Sequence, residues 1–492
     1  MSTTTVAVTT PARPVPPARG PAVAIAWSVV ALSGVAAGML VPRGPVTGTE
    51  VLALLIGAAL VGGLAGYLIR SRWVLLAAPL LHVVMWELTR ATVFRSDGPS
   101  FQRPRFDVSL GIALFVTVHL TFVLLTAVPM VVGGLAGRAW ARRRPAPAVV
   151  YGMALLTVTA LGLLFIRPAQ VAGGTLPGSV AALEQVNLGG VRQWVSMRGA
   201  GAANPVLLHL SGGPGSSDVG WVRTFNQPLE QRFTVVVWEQ RGAGKSYPAL
   251  EPTDRLTLDR LVADGIELTT WLTHRFDQPK VYLTGNSWGS TLGVLMAQRR
   301  PDLFYAYVGT GQMVSQRETD RRLYRQLQTY AADTGNEQLR KRLAALGEPP
   351  YRDLFGYALV MEHYDAIEPY ERAPEFEAAR GLGGFHPGEY SWLDTWNEIR
   401  GFADMGGLLY PQLQDIDFRT DVPALQVPAY FVQGRHELTA RSALADEWIS
   451  RLQAPIKRTY VFERSGHNPD AEEPARFNQL LLETVLSETY PR

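Results

Sequence analysis

The sequence contains no cysteine. That excludes disulfide staples, a thiol nucleophile and cysteine-ligated zinc, and it leaves the redox compartment undetermined. Charge is also sparse: 18% of the 492 residues are charged against 47% hydrophobic, and the formal net charge is only +3. So small a charge, lying beside hydrophobic runs, excludes a nucleic-acid surface. Acidic residues are scarce before about position 180 and plentiful after it, so the two parts of the chain face different solvents. The length exceeds that of one ordinary domain. Histidine occupies only eight positions, which shortens the search for a catalytic base.

What the first part has in abundance is apolar length. Residues 22–42 form an uncharged run long enough to cross ~30 Å of hydrocarbon as a helix, and similar runs cover about 51–69, 73–89, 108–136 and 148–166. Because further spans follow the first run, it reads as an uncleaved helix rather than a secretory signal. The spacing therefore predicts a membrane domain over 21–167 with five transmembrane helices. A disordered Pro/Thr/Ala tail over 1–20 precedes it, and a Gly/Pro-rich linker over 168–179 follows.

Five crossings put Arg13, Arg19, Arg70, Arg72, Arg138, Arg142, Arg143 and Arg144 on one side, the expected cytoplasmic one. The C-terminal half then lies outside, on a plasma-membrane protein. The third run is the short one and carries His82 and Glu87; without it the C-terminal half would be cytoplasmic. Arg43, Arg90, Arg95, Arg103 and Arg105 on the opposite side keep the bias modest. His82, Glu87 and His119 are functional candidates as intramembrane polar groups. No repeat or pair of broken helices points to a transport path, so interfacial placement or bonding to a neighbouring helix is the simpler expectation.

From about 180 onward, short β-branched runs alternate with amphipathic helical stretches, the pattern of an α/β domain with a largely parallel sheet. Candidate strands are "PVLLHL", "FTVVVWE", "KVYLTG", "AYVGTG", "AYFVQG" and "RTYVFE"; helices are predicted over about 256–275, 288–300, 441–452 and 474–487. Strand signals fade between about 312 and 420, where Arg- and Glu-rich helical segments are interrupted by "GLGGFHPGEYSW". That block is predicted to be a helical cap on the domain over 180–492.

Ser287 stands at the turn between "KVYLTG" and the helix that begins at Trp288, flanked by Gly285 and Gly289. A strand, a crowded glycine turn and a helix expose a serine oxygen as a nucleophile elbow does. The Trp288 N–H, one residue beyond, is placed to stabilise an oxyanion at the helix start, and its indole can wall the pocket. The loop "LLHLSGGPGSS" after an earlier strand offers Gly212 and Gly213 as the second source of oxyanion donors. His467, in the loop after "RTYVFERSG", fits the base by chain order. Glu437, in "QGRHE" after the preceding strand, fits the orienting carboxylate, with Asp446 and Asp415 as weaker substitutes.

With these residues in place, the second half resembles the proline iminopeptidase-like branch of the α/β-hydrolases, a family of serine peptidases. Its HGGPG loop, DQRGxGxS segment and GGSWGS nucleophile motif appear here as "SGGPG" at 211–215, "EQRGAGKS" at 239–246 and "GNSWGS" at 285–290. The resemblance spans roughly 180–490 and leaves the membrane half uncovered. It implies a serine aminopeptidase that releases N-terminal residues, often proline, from short peptides through an acyl-enzyme. In it Ser287 attacks, His467 shuttles the proton, Glu437 orients the imidazole, and the Trp288 and Gly213 amides hold the oxyanion. Arg241 is expected to brace the loops. The sequence departs from the family at Ser211, Glu239 and Glu437, which leaves the chemistry intact and the specificity open. An aminopeptidase needs carboxylates for the terminal amine, for which Glu362 and Glu398 in the cap are candidates, with Trp288 beside them. No metal or cofactor is called for. Two other readings remain: an esterase acting on acyl esters near the membrane, and a membrane sensor or transport module with an inactive hydrolase-like domain.

Overall fold

The computed structural model describes residues 20–94, 98–142, 147–166, 178–379 and 388–491. The expected N-terminal tail, most of the linker and much of "GLGGFHPGEYSW" lie outside the described residues. The chain divides into two compact units, one built from residues up to Pro45, Thr49–Val93 and Phe122–Leu163, the other from Val46–Gly48, Phe94–Thr121 and Leu164–Arg492.

The first unit is helical. Helices α1 (Gly20–Leu40), α2 (Gly48–Ile69), α3 (Val74–Val93) and α4 (Ser109–Ala141) are each long and apolar enough to cross a membrane; the apolar helix α5 (Pro147–Phe165) follows, its stretch Val149–Phe165 being shorter. With no aqueous phase to drive them together, such helices associate through close packing of small residues. On α2 and α4, Gly62 and Gly137 sit where an added Cβ would lie 2.0 Å from Met130 O and 1.9 Å from Gly63 O. In α3, His82 and Arg90 are buried, and Glu87 pairs with Arg90 at 2.6 Å.

Helix α4 is longer than a bilayer requires. Its 33 residues extend about 50 Å at ~1.5 Å per residue. Phe122–Ala141 lies with the membrane helices, enough for ~30 Å of hydrocarbon, whereas Ser109–Thr121 belongs to the second unit. A π-helical turn over Phe115–Leu120 marks the change.

The second unit is built on an eight-stranded sheet ordered β1-β2-β4-β3-β5-β6-β7-β8. The hairpin β1 (Val180–Leu188) and β2 (Val191–Gly199) is antiparallel, and β2 is antiparallel to β4 (Thr234–Trp238). Strands β3 (Val206–Leu210), β4, β5 (Val281–Asn286), β6 (Phe304–Thr310), β7 (Ala429–Gly434) and β8 (Lys457–Phe462) run parallel. Strands β3 to β5 are buried along their whole length, as parallel strands covered on both faces must be. The six strands expected from the sequence are present. The β1–β2 hairpin is additional: Glu184, Gln185, Asn187, Arg192 and Gln193 break up its apolar pattern, and its turn relies on Gly189 and Gly190 at φ 57° and 81°.

Helices α6 (Leu258–Arg275), α7 (Trp288–Arg299) and α12 (Thr439–Arg451) cover the sheet, and α6 starts where Thr257 accepts the Arg260 N–H at 3.1 Å. Between β6 and β7 the chain forms the cap from α8 (Gln316–Asp333), α9 (Glu337–Leu346), α10 (Leu354–Met361) and α11 (Trp392–Leu413). Helix α11 opens with a capping box between Ser391 and Asp394 and gathers the rest of the unit. Asp404 accepts from Ser100 N at 2.8 Å and from the Tyr247 hydroxyl at 2.7 Å. Asn397 donates to Val46 O at 2.8 Å, and the buried Arg400 donates through Nε to Thr117 O at 3.0 Å, within the π turn. Strands β4 and β5 leave β3 in opposite directions, so a switch point of the kind that carries ligands in open α/β sheets lies at the C-terminal ends of β3 and β5.

Candidate active site

Strand β5 and helix α7 meet at Ser287, which holds φ 54° and ψ −120°. This region is unfavourable for a residue with a Cβ, and such strain gathers at functional turns. Its backbone is held on both sides: the Ser287 N–H donates to Thr310 O at 3.1 Å, and Ser290 N donates to Ser287 O at 2.9 Å. The flanking glycines are sterically required, because a Cβ on Gly285 would lie 2.3 Å from Gly289 O and one on Gly289 would lie 2.0 Å from Leu210 O.

The loop after β3 lies against this turn, since a Cβ on Gly212 would sit 3.6 Å from Ser287 Cβ. Its conformation is fixed by Asp218, which accepts the Gly212 N–H at 3.2 Å and faces His209 Nε2 at 2.9 Å, while the Asp218 N–H donates to Ser211 Oγ at 3.0 Å. The Gly212 amide is thus engaged by Asp218, and Gly213 follows at φ 111°. Gln240 ties the two halves together: it accepts from Trp288 Nε1 at 2.9 Å and donates to Ser211 O at 3.3 Å. Arg241 braces neighbouring loops, bonding Asp264, Leu188 O and Gly189 O.

Ser287, Trp288 and Gly213 line one pocket, of about 50 Å³, together with Met313, Val314, Leu354, Tyr357 and Phe402. Its described lining includes no carboxylate.

Glu437 and His467 stand after β7 and β8, where the fold brings consecutive parallel strand ends side by side. His467 Nδ1 is hydrogen-bonded to Glu437 Oε2. Glu437 Oε1 accepts from Leu438 N at 2.9 Å and lies 3.5 Å from Arg441 Nη1. Burial acts to raise the Glu437 carboxyl; the charges of His467 and Arg441 and the hydrogen bonds from His467 and the Leu438 amide outweigh it and hold the group below the usual carboxylate range. Of the substitutes, Asp446 bonds Gln433 and Asp415 bonds Arg317.

His467 reaches the serine turn through its backbone: Asn286 Nδ2 donates to His467 O at 3.3 Å. Its ring packs on Gly311, where a Cβ would lie 3.0 Å from Cε1 and 3.1 Å from Nδ1. Ser287 Oγ forms no hydrogen bond with the imidazole among the described residues. His467 lines a neighbouring cavity of about 310 Å³ with Glu362, Asp365, Arg372 and Glu472.

The two cap carboxylates singled out by sequence lie in different settings. Glu362 Oε1 accepts from Ser109 N at 2.5 Å and Ser109 Oγ at 2.6 Å, capping the start of α4. Glu398 is buried behind the glycine loop and accepts from Ser217 N at 3.4 Å. Burial, then the nearby charge of Glu239, pushes Glu398 well above the usual carboxylate range. Glu239, bonded by the Tyr390 hydroxyl, is itself pushed up to about 7 by burial. Sequence reading missed Gln240, Asn286, Gly311 and Arg441. The first two adjoin the motif residues Arg241 and Ser287, but no local pattern marks the other two. Among the described residues, no group of three or more His, Asp or Glu side chains could hold a metal ion.

Residues 205–474 match the family described as alpha/beta hydrolase fold. A protein of Bacillus subtilis strain 168 named as a probable aminopeptidase, YbaC, is 31% identical over 310 residues, covering 62% of this chain and 96% of its own length. A proline iminopeptidase of Heyndrickxia coagulans is 24% identical over 279 residues, covering 56% of this chain and 88% of its own. Among solved structures, a proline iminopeptidase-related protein from Thermus thermophilus is similar at 20% identity and a TM-score of 0.46, covering 63% of this chain and 99% of that one.

Proposed function

The chain belongs to the α/β-hydrolase fold family, and on that premise we propose that it is a membrane-anchored serine aminopeptidase with Ser287 as nucleophile, His467 as base and Glu437 as orienting acid. The observation that carries this reading is Ser287 at a positive φ in the lining of a small pocket, with its neighbour Asn286 bonded to the backbone of a histidine that a buried glutamate holds through Nδ1. A hydrogen on Nδ1 leaves the Nε2 lone pair to take the serine proton. Ser287 Oγ then attacks the carbonyl carbon, and the Trp288 and Gly213 amides receive the oxyanion. The protonated imidazole returns its proton to the leaving amine, and water cleaves the acyl-enzyme by the same route.

The pocket favours a small N-terminal residue. A volume of about 50 Å³ holds roughly three to five waters at ~10–15 Å³ each, room for an alanine or proline side chain but not a long one unless the cap moves. The name of the Bacillus subtilis relative, which matches along nearly its whole length, supports peptide substrates.

A second reading, an esterase acting on acyl esters near the bilayer, is favoured by one observation: no carboxylate lines the described pocket to meet a terminal ammonium. The full-length protein in detergent, given alanine and proline arylamides beside acyl esters, separates the two. Arylamide turnover lost in Ser287→Ala supports the aminopeptidase; turnover of esters alone transfers the chain to the second reading. If a fluorophosphonate fails to label the wild type, both give way to an inactive sensor domain.

The proposed location is the plasma membrane with the hydrolase outside. Val46–Gly48 and Phe94–Thr121 cluster with Leu164–Arg492, so the turns after the first and third apolar helices go with the hydrolase, as five crossings require. Arg70, Arg72, Arg138 and Arg142 then fall on the cytoplasmic side.

A further inference from the structure

The membrane helices enclose a cavity of about 420 Å³, lined by Ser33 and Ala37 of α1, Gly57 and Ala58 of α2, His82 of α3 and Thr126 of α4. That volume is within the range of small-molecule sites. The space exists because its walls are small: a Cβ added to Gly57 would meet nothing within 4 Å. Leu40 also lines it and is 78% exposed, so the cavity reaches the outer surface of the helix group, which a bilayer covers.

The polar side chains lining this cavity are Ser33, Glu50 of α2, His82 and Thr126. Ser33 Oγ donates to Val30 O at 2.7 Å, within its own helix, and so turns only lone pairs to His82 Nδ1 at 2.9 Å. Nδ1 therefore carries the hydrogen, and Nε2 is a bare acceptor. His82 is 4% exposed, its ring stacks on Phe122 at 5.7 Å, and Nε2 has no hydrogen-bond partner. Thr126 Oγ1 likewise donates to Phe122 O at 2.7 Å, leaving acceptor capacity alone. A buried acceptor without a donor is unfavourable, and an occupant that supplies an O–H corrects it. An ester or ether oxygen has no hydrogen to give, and a hydroxyl supplies one at a lower desolvation cost than a charged head.

We propose that this cavity binds a neutral lipid whose aliphatic chain fills the gap between α1 and α2 and whose hydroxyl donates to His82 Nε2. This site is independent of the serine-hydrolase reading.

The test uses the full chain in phosphatidylcholine nanodiscs, labelled with a diazirine-bearing long-chain alcohol and mapped by peptide mass spectrometry. The expected crosslinks fall on α1 and α2 around Ala37 and Gly57. Oleyl alcohol competes at about tenfold lower concentration than oleyl methyl ether, the discrimination that one buried hydrogen bond gives. Gly57→Leu, which fills the gap, lowers labelling about fivefold or more while the helical circular dichroism of the protein persists. In His82→Phe the alcohol loses its advantage over the ether. Equal competition by the two compounds on the wild type, or crosslinks confined to other helices, overturns the proposal. The wild-type competition needs no variant, so a poorly folding substitution leaves the test decisive.

Discussion

Asn286 Nδ2 lies 3.3 Å from the carbonyl oxygen of His467, joining the residue before the candidate nucleophile to the candidate base across 181 positions of sequence. The same amide group reaches Thr310 Oγ1 at 3.1 Å and Asp470 Oδ1 at 3.4 Å. Burial pushes the Asp470 carboxyl up to about 6. Asn286→Ala is expected to lower kcat/KM about tenfold, the loss of roughly one buried hydrogen bond. Asn286→Asp is expected to be worse, because it sets a second carboxyl against Asp470 and removes the donor. Steady-state kinetics that rank Asp above Ala would contradict this.

Glu437→Gln removes the carboxylate that steers His467 while keeping its size. Loss of the orienting charge in a triad costs about 10⁴ in kcat, and a fall of at least ~10³ is expected here, with fluorophosphonate labelling slowed in parallel. In the wild type the Glu437 carboxyl is held below its usual range. The Glu437 charge that steers His467 is therefore kept above that depressed pKa and lost as pH falls through it. Arg441→Gln removes a positive charge beside the Glu437–His467 pair, so the pair takes up a proton more readily and the acidic limb of the pH–rate profile should move to higher pH.

Gln240 holds the Trp288 indole and the Ser211 carbonyl at once. Gln240→Leu frees both and lets the two candidate sources of oxyanion donors drift apart. Because that interaction strengthens in the transition state, kcat should fall by about 10- to 100-fold with little change in KM. A rise in KM alone would mean that the loop binds substrate rather than the oxyanion.

Gly311 is at φ 51°, and a Cβ there would lie 2.5 Å from His467 O. Gly311→Ala must move His467 or strain the turn, at a cost of about 1–3 kcal/mol. A lower melting temperature and a drop in kcat are expected together; an unchanged protein would show that the loop after β6 yields freely.

Glu239 is wholly buried and pushed up to about 7 by burial. A carboxyl whose pKa is higher folded than unfolded releases its proton on unfolding between the two values, so stability declines as pH rises from about 4.5 to about 7. Glu239→Gln removes that dependence. Its unfolding free energy in detergent should match the wild type near pH 4 and exceed it near pH 8, by up to about 3 kcal/mol at ~1.4 kcal/mol per pH unit. An equal difference at both pH values would refute the assignment.

Sequence alone determined the elements whose physics is local. Apolar runs of bilayer length specified the membrane helices, and buried β-branched runs specified the parallel strands. The glycines around Ser287 announced a turn that a Cβ cannot enter, as the 2.0 Å clash at Gly289 bears out. Tertiary structure decided what depends on distant segments meeting. The β1–β2 hairpin forms against β4 despite its mixed polarity, and Ser109–Thr121 joins the hydrolase unit although it continues a membrane helix. Glu398, a reasonable amine ligand by residue type, is buried behind the glycine loop and shifted toward neutrality by burial and by Glu239. Composition and spacing carry propensity and period, whereas burial, pKa and the approach of Asn286 to His467 arise from contacts between residues far apart in the chain, which no local pattern encodes.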